Sequence, residues 1–370
     1  MKVAVVGAGA VGLSAAWALT RRGHEVLVLD QGAIPNPLGA SFDEHRLIRP
    51  HYGALDGYAA LVPAALEAWQ RLWDTLGRRH LAPNGALALG LPGDGFAEAS
   101  ERSFRALGIP CERVEGPALA ERFPYFRWQS GVWALYSPLG GVLFADRIVG
   151  GLADWLRGQG VALRPDSRVV ALDAGTGRLE LADGGREQAD ALVVAGGAWA
   201  GKLLPELAGQ RPMRQIVAFV EPPARLAEAW RRAPALTHLA SGPSAYCAPP
   251  LDGTRLKFGR GELRRPADPD GAAPLGADEP AAVFEPFRPL LADFDDYRLL
   301  GGKVCRYALS PDGERFLPLA RDRLVAVAGC SGHMFKFAAL MGERLAEAAT
   351  GGLGGADFEA WARGEVPAAA

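Results

Sequence analysis

The chain has 370 residues, of which 49% are hydrophobic and 22% are charged, and its formal net charge is −2. This length is sufficient for two domains with sizeable cores, and the near-neutral charge argues against a general nucleic-acid-binding surface. The histidines show no metal-ligand pair, and the cysteines show neither a C-x-x-C pair nor a zinc spacing. We therefore expect no metal and no structural disulfide, with four free cysteines at Cys111, Cys247, Cys305 and Cys330.

The first thirty residues predict a nucleotide-binding unit. An apolar strand from Lys2 to Val6 leads into a helix expected from Leu13 to Arg22, and a second apolar strand runs from Glu25 to Leu29. The turn between the first strand and the helix has the spacing G-x-G-x-x-G, formed by Gly7, Gly9 and Gly12. The second strand ends at Asp30.

Each of these residue types suits a dinucleotide. Gly7 allows the sharp turn, Gly9 lets the backbone approach a pyrophosphate, and Gly12 lets the helix lie close to the strand. The helix N-terminus offers unpaired N–H groups to the phosphates, and Asp30 can accept hydrogen bonds from ribose hydroxyls. The pattern indicates a bound dinucleotide, but it does not separate FAD from NAD.

A membrane span or a signal peptide is the alternative interpretation of this stretch. Residues 3–20 carry no charge and are 18 residues long, which is the lower bound for a membrane helix. However, the glycines lie where a nucleotide fold needs them, and the apolar pattern resumes as a strand directly afterwards. We therefore expect no membrane span and a cytoplasmic location.

Two arginines follow in the segment from Arg46 to Gly53. Arg46 and Arg49 are three residues apart, which places them on the same side of a helical turn. A surface turn with solvated charges would explain them equally well in isolation. Because the segment leaves the nucleotide unit, we expect it to line the ring end of the cofactor.

Periodic patterns predict the elements of the central part of the chain. Helices are expected at 62–76, 97–107, 145–157 and 279–291, and 224–237 is expected to be helical or irregular. Strands are expected at 85–91, 131–136, 178–181, 215–221 and 255–259, around Tyr246, and in two runs within 161–172, with a surface loop at 264–280. These stretches suggest an antiparallel sheet with helices.

Nucleotide-fold elements return twice after this material. A buried strand at 191–195 ends in a small-residue turn that reaches Trp199, and a strand at 324–329 precedes a turn and a helix at 337–350. We therefore predict an α/β protein with two domains, a Rossmann-like cofactor-binding domain and an inserted antiparallel-sheet substrate domain. The cofactor domain is expected to comprise residues 1–80, 141–212 and 300–370, and the substrate domain residues 81–140 and 213–299.

Several motifs together resemble the monomeric sarcosine oxidase family, which includes N-methyltryptophan oxidase and, more distantly, pipecolate and fructosyl amino acid oxidases. Besides the glycine motif, they are RLIRPHYG from Arg46, GVLF from Gly141, RQIV from Arg214, CRYALSPD from Cys305 and GCSGHMFKF from Gly329. The resemblance covers nearly the whole chain. It implies bound FAD, a D-amino-acid-oxidase-like fold, and an Asp30 that holds the FAD ribose.

The resemblance also implies catalytic roles. Cys305 matches the cysteine that carries FAD through a thioether, although a buried free cysteine is the ordinary alternative. Arg49 and Lys336 match the pair that holds the substrate carboxylate. Lys257 matches the lysine near flavin N5 that activates oxygen. The remaining catalytic matches are Arg46 as a second basic residue near the flavin, Tyr246 and Tyr307 as pocket tyrosines, and His333 against the flavin.

We expect the cofactor to contact residues from all three segments of its domain. These are Gly7, Gly9, Gly12, Asp30, Ser41, Arg46, Val169, Gly196, Trp199, Cys305, Gly332, His333, Phe335 and Lys336.

The sequence departs from the family in two places. The family's histidine after the oxygen-activating lysine is replaced by Gly261, or by Arg260 with a shift, and residues 42–45 lack the usual small and polar residues. The resemblance therefore implies a monomeric oxidase of a carboxylate-bearing secondary amine or amino acid larger or more polar than sarcosine. A hydride equivalent would pass to flavin N5, the imine would leave, and oxygen would become hydrogen peroxide.

Three alternatives remain at this point. They are a flavin dehydrogenase that passes electrons to another acceptor, a flavoprotein that binds a ligand without turnover, and an NAD-dependent dehydrogenase. The last leaves Cys305 and the motif around Lys336 without a purpose.

Overall fold

The computed structural model describes residues 1–90, 93, 95–239 and 244–365. The strands are β1 (Lys2–Val6), β2 (Glu25–Leu29), β3 (Arg46–Ile48), β4 (Leu81–Ala82), β5 (Ala86–Gly90), β6 (Glu112–Val114), β7 (Trp133–Ser137), β8 (Gly141–Leu143), β9 (Ala162–Arg164), β10 (Val169–Asp173), β11 (Arg178–Leu181), β12 (Arg186–Gln188), β13 (Ala191–Val194), β14 (Arg211–Glu221), β15 (Ala235–Thr237), β16 (Tyr246–Ala248), β17 (Leu256–Gly259), β18 (Arg265–Pro266), β19 (Arg298–Leu309), β20 (Leu317–Arg321) and β21 (Leu324–Ala328). The α-helices are α1 (Ala10–Arg21), α2 (Asp56–Leu76), α3 (Phe96–Leu107), α4 (Pro117–Arg122), α5 (Ala145–Gly158), α6 (Ala200–Leu203), α7 (Ala227–Arg231), α8 (Glu279–Phe284), α9 (Ala338–Ala349) and α10 (Gly355–Ala362).

The first sheet has six strands in the order β20-β21-β13-β1-β2-β9. All neighbours pair in parallel except β20, which is antiparallel to β21. The central strands are continuous buried apolar runs, which is typical of a parallel sheet covered on both faces. Helices α1, α5 and α9 cover one face, and the small antiparallel sheet β10-β11-β12 packs on the other.

The second sheet has nine strands in the order β18-β14-β17-β16-β15-β5-β7-β6, with β19 paired to β14 as well. Its pairs are antiparallel apart from β15 and β5. Large aromatic side chains that include Trp230, Phe258 and Phe287 form its own hydrophobic cluster. The α/β fold with a Rossmann-like unit and a second, mainly antiparallel sheet therefore confirms the predicted fold class.

Several predicted elements differ from the observed ones. Helix α1 begins at Ala10, directly after the second glycine of the motif, rather than at Leu13. The stretch expected to be helical or irregular up to residue 237 ends in strand β15, because its three residues are buried between β5 and β16. Helix α8 ends at Phe284, because Pro286 and Pro289 lack the N–H groups that would continue it. Leu91, the last residue of the strand predicted at 85–91, lies outside the described residues.

The long strand β19 belongs to the second sheet, and along the chain it is followed by β20 of the first sheet. The predicted domain border at residue 300 would assign nearly all of it to the cofactor domain, whereas its residues pair with β14 from Arg211 to Glu221. We therefore propose that the substrate domain extends through Leu309, and we retain the other predicted borders as proposals. None of the helices in the described ranges combines the length and the apolar character needed to cross a membrane.

Candidate active site

The glycine turn after β1 is closely packed. Gly7 has φ of +104°, its N–H donates to the carbonyl of Leu29 at 2.8 Å, and a Cβ there would lie 2.5 Å from the carbonyl oxygen of Ala195. A Cβ on Gly12 would overlap the carbonyl oxygen of Gly7. Both positions therefore require glycine, and the N-terminus of α1 faces the carboxyl ends of β1 and β13.

Side chains from the following loop hold this turn in place. Asp30 accepts hydrogen bonds from the N–H of Ala8 at 2.8 Å and from the side-chain amide of Asn36 at 2.9 Å. The hydroxyl of Ser41 accepts from the N–H of Ala10 at 2.9 Å. Asn36 was not predicted, because a lone asparagine in a loop gives no signal of its partner.

A cavity of about 1190 Å³ opens beside this turn and extends between the two sheets. Its wall includes every predicted catalytic residue and every predicted cofactor contact except Gly12, which lies beneath Gly7. The volume slightly exceeds the usual range for small-molecule sites, as expected for a dinucleotide together with a substrate. The glycine turn, the N-terminus of α1 and Asp30 therefore fit FAD.

The nucleotide end of the cavity is bordered by Val169, Gly196 and Trp199. The indole N–H of Trp199 donates to Asp270 at 2.7 Å, and Lys202 binds the same carboxylate at 2.7 Å. The predicted surface loop at 264–280 thus reaches back to the first domain.

Arg46 and Arg49 do not share one side of a helical turn, which corrects the prediction. Arg46 begins strand β3, which pairs with β8, and Arg49 follows its end. Pro50 disfavours a helical conformation at the residue before it. The two guanidinium groups consequently serve different parts of the cavity.

Arg46 lies beside Cys305 and Asp43. One guanidinium nitrogen, Nη2, lies 4.0 Å from the Cys305 sulfur and donates to the carbonyl of Ala40 at 2.7 Å. The other, Nη1, forms an ion pair with the carboxylate of Asp43. Cys305 itself is half-buried on β19, on the cavity wall.

Lys257 on β17 is 1% exposed. Its ammonium donates to Asp43 at 2.9 Å and to the carbonyl of His45. Burial and the positive charge of Arg46 act to lower the pKa of Lys257, whereas the ion pair with Asp43 at 2.9 Å favours its ammonium form. Asp43 was not predicted as a site residue, since its segment was noted only as a departure from the family.

Arg49 and Lys336 approach the same tyrosine, Tyr52. The Arg49 guanidinium carbon lies 5.0 Å and the Lys336 nitrogen 4.9 Å from the centre of its ring. Lys336 donates to the Tyr52 hydroxyl at 2.9 Å, while Nη1 of Arg49 is buried and has no hydrogen-bond partner among the residues that the structure describes. Within the described part of the chain, neither cation is paired with a carboxylate. Burial lowers the pKa of Lys336 well below its ordinary value, and Arg49 lowers it further.

His333 extends the hydrogen-bonded chain that runs from Lys336 through Tyr52. Its Nδ1 lies 3.0 Å from the Tyr52 hydroxyl, and its Nε2 lies 2.6 Å from the carbonyl of Glu314. Because a carbonyl only accepts, Nε2 carries the hydrogen and Nδ1 accepts from Tyr52. Burial and the positive charge of Lys336 lower the pKa of His333 well below its ordinary value, which keeps it neutral.

The two predicted pocket tyrosines also line the cavity. The ring of Tyr246 covers Gly259 so closely that a Cβ on Gly259 would overlap it, and burial raises the pKa of Tyr246. Burial likewise raises the pKa of Tyr307, with Arg264 acting in the opposite sense. Among the described residues there is no group of three side chains able to hold a metal ion.

Known proteins with similar sequences and folds share this architecture. A family model described as DAO, FAD dependent oxidoreductase, matches residues 2–348. An N-methyl-L-tryptophan oxidase of Yersinia pestis is 28% identical over 345 residues, which covers 92% of each chain.

Two solved structures show the same fold. NikD, an unusual amino acid oxidase essential for nikkomycin biosynthesis, has a TM-score of 0.80 at 23% identity and covers 98% of this chain and 96% of its own. The fructosyl amine:oxygen oxidoreductase of Aspergillus fumigatus has a TM-score of 0.77 at 20% identity, with 95% and 86% covered. The resemblance inferred from the motifs is confirmed at the level of the family. The chain belongs to the DAO family of FAD dependent oxidoreductases.

Proposed function

We propose that the protein oxidises a secondary amine or an amino acid that bears a carboxylate. The observation that carries this proposal is the pair of cations, Arg49 and Lys336, that meet at Tyr52 on the cavity wall and have no carboxylate partner among the described residues. Buried cations are normally paired, so an anionic ligand completes this site. The N-methyl-L-tryptophan oxidase relative and NikD are named for substrates of this class.

The residues of the chain orient the substrate. The planar guanidinium of Arg49 can hold a carboxylate in a fixed direction, and the ammonium of Lys336 adds a point charge. The backbone of Lys336 is fixed by the indole N–H of Trp69, which donates to its carbonyl at 2.8 Å. Bound FAD supplies the acceptor for the hydride equivalent that leaves the carbon next to nitrogen. The role of the protein is then to hold that carbon in place.

Oxygen is the proposed final electron acceptor. Lys257 places a buried cation on the cavity wall, where it can stabilise negative charge that develops on oxygen. A screen of N-methyl and cyclic amino acids for peroxide tests this, with the corresponding amines that lack the carboxylate as matched controls. Peroxide from the acids alone is the expected result. Turnover with a dye and without peroxide would indicate a dehydrogenase, and turnover of the amines would exclude the carboxylate site.

We further propose that FAD is attached to Cys305. The Cys305→Ser variant should release all of its flavin on acid precipitation, whereas the unmodified protein keeps a yellow pellet. Cys330, a second thiol on the cavity wall, gives a matched control, because burial raises the pKa of its thiol and only the thiolate is a nucleophile. Cys330→Ser should keep the yellow pellet. A colourless pellet from Cys330→Ser together with a yellow pellet from Cys305→Ser would refute the attachment of FAD to Cys305. The monomeric state and the cytoplasmic location stay predictions.

A further inference from the structure

Lys257 is held by a carboxylate that the sequence motifs do not assign. Asp43 comes from the loop before β3, and its side chain has no exposed surface. One of its oxygens, Oδ2, accepts from the Lys257 ammonium at 2.9 Å and contacts the Arg46 guanidinium, while Oδ1 accepts from the N–H of Glu44 at 2.8 Å. The carboxylate is therefore fixed by three donors.

The surroundings of Lys257 would otherwise disfavour its charge. Burial lowers the pKa of Lys257, and the positive charges of Arg46 and Lys303 act in the same direction. Cys305 and Glu44 act in the opposite sense, but the Glu44 carboxylate is only half-buried and binds Arg255. A buried carboxylate at hydrogen-bond distance favours the ammonium far more strongly than a distant one does. The titratable or charged groups that face Lys257 besides Asp43 are Arg46, Lys303, Glu44, His45, Cys247 and Cys305.

We propose that Asp43 is a positioning residue that keeps Lys257 protonated and fixes its ammonium beside the cavity wall. The proposal rests on the oxygen-activating role of Lys257 given above. A neutral amine cannot stabilise negative charge on oxygen as an ammonium does. Without Asp43, the reaction with oxygen should therefore depend on whether the pH is low enough to protonate Lys257.

The test is the rate at which oxygen reoxidises the reduced holoenzyme, measured between about pH 6 and pH 10, where a shifted lysine titrates. In Asp43→Asn we expect a loss of about tenfold or more at about pH 8 and recovery at lower pH, because each unit of pKa shift changes the charged fraction tenfold. Lys257→Met should be slow at every pH. A double variant, Asp43→Asn with Lys257→Arg, should be independent of pH, because arginine stays charged.

Sulfite binding gives a readout without turnover. Sulfite is an anion that oxidised flavins bind reversibly, so its dissociation constant reports positive charge near the ring. In Asp43→Asn, this constant should rise with pH over the same range as the loss of the oxygen reaction. Glu279→Gln is the matched control, because it removes a carboxylate from the buried Arg214 on the same sheet, 2.6 Å away. Glu279→Gln should leave the pH profiles of the oxygen reaction and of sulfite binding unchanged.

The outcomes separate this inference from the proposed function. If the rate of reoxidation by oxygen depends on pH in Asp43→Asn as it does in the unmodified protein, the role of Asp43 is overturned. The same holds if the rate in this variant is lower by one constant factor at every pH. If Lys257→Met reoxidises normally, the role of Lys257 itself fails. Asp43→Ser, which removes the carboxylate without adding volume, provides the same test should the asparagine variant not fold.

Discussion

Lys257→Met is expected to slow reoxidation of the reduced enzyme by oxygen about 10²- to 10³-fold, the range for removal of one preorganised electrostatic group. Anaerobic reduction by the substrate should change little, because the carboxylate site at Arg49 and Lys336 is formed by other elements. Asp43 retains its ion pair with Arg46 in this variant, so no unpaired buried charge remains. Stopped-flow absorbance of the flavin measures the two half-reactions separately.

Lys303→Met is the matched control for this variant. Lys303 lies on β19 of the same sheet. Its ammonium donates to the carbonyl of Phe42 and lies 4.5 Å from the centre of the Phe42 phenyl ring. Its removal should not slow the oxygen reaction, because it takes away a positive charge that disfavours the ammonium form of Lys257. Slow reduction with normal reoxidation in Lys257→Met would instead assign Lys257 to substrate binding, and an equal loss in both variants would indicate a general charge effect.

The glycine turn could be predicted from the sequence because its contacts are local. Gly7, Gly12 and Asp30 belong to one strand–helix–strand unit, and each residue type has a steric or hydrogen-bonding reason to be where it is. The second sheet was predicted less completely. Strand β15 has only three residues, and what makes it a strand is burial between β5 and β16, which lie far apart in the sequence.

The polar contacts within the cavity could not be predicted in the same way. Asp43 and Lys257 are 214 residues apart, so neither predicts the other. Tyr52 lies inside the motif that carried the family resemblance, yet its position between Arg49 and Lys336 depends on the turn after β21. The resemblance identified the cations, whereas the structure is needed to show which of them are paired and which are free to bind an anion.

The second large effect concerns cations that have no carboxylate partner among the described residues. Their replacement should change activity and stability in opposite directions. Arg49→Met and Lys336→Met should each lower kcat/KM about 10²-fold or more, since losing one partner of a buried charge pair costs about 3 kcal/mol. The same variants should raise the free energy of unfolding of the ligand-free protein by about 1–3 kcal/mol, because each replaces a desolvated charge with an apolar chain. Steady-state kinetics and thermal unfolding measure the two effects.

Arg214→Met provides the contrasting case. Arg214 is 3% exposed, but it forms an ion pair with Glu279 at 2.6 Å, outside the candidate active site. Its replacement removes the buried partner of Glu279, which then keeps only the more exposed Arg265 at 3.0 Å, so the melting temperature should fall while kcat/KM stays nearly unchanged. If Arg49→Met and Lys336→Met also melted earlier, the two cations would be structural rather than ligand-binding.

The pH dependence of unfolding tests the same assignment for Lys336. Between its lowered pKa and its ordinary value of 10.5, the unfolded chain binds a proton that the folded, ligand-free protein does not. The free energy of unfolding should therefore increase with pH across this window, and Lys336→Met should remove that contribution. A bound carboxylate raises the pKa of Lys336 and should flatten the same slope. An identical slope with and without a carboxylate ligand would show that Lys336 does not meet it.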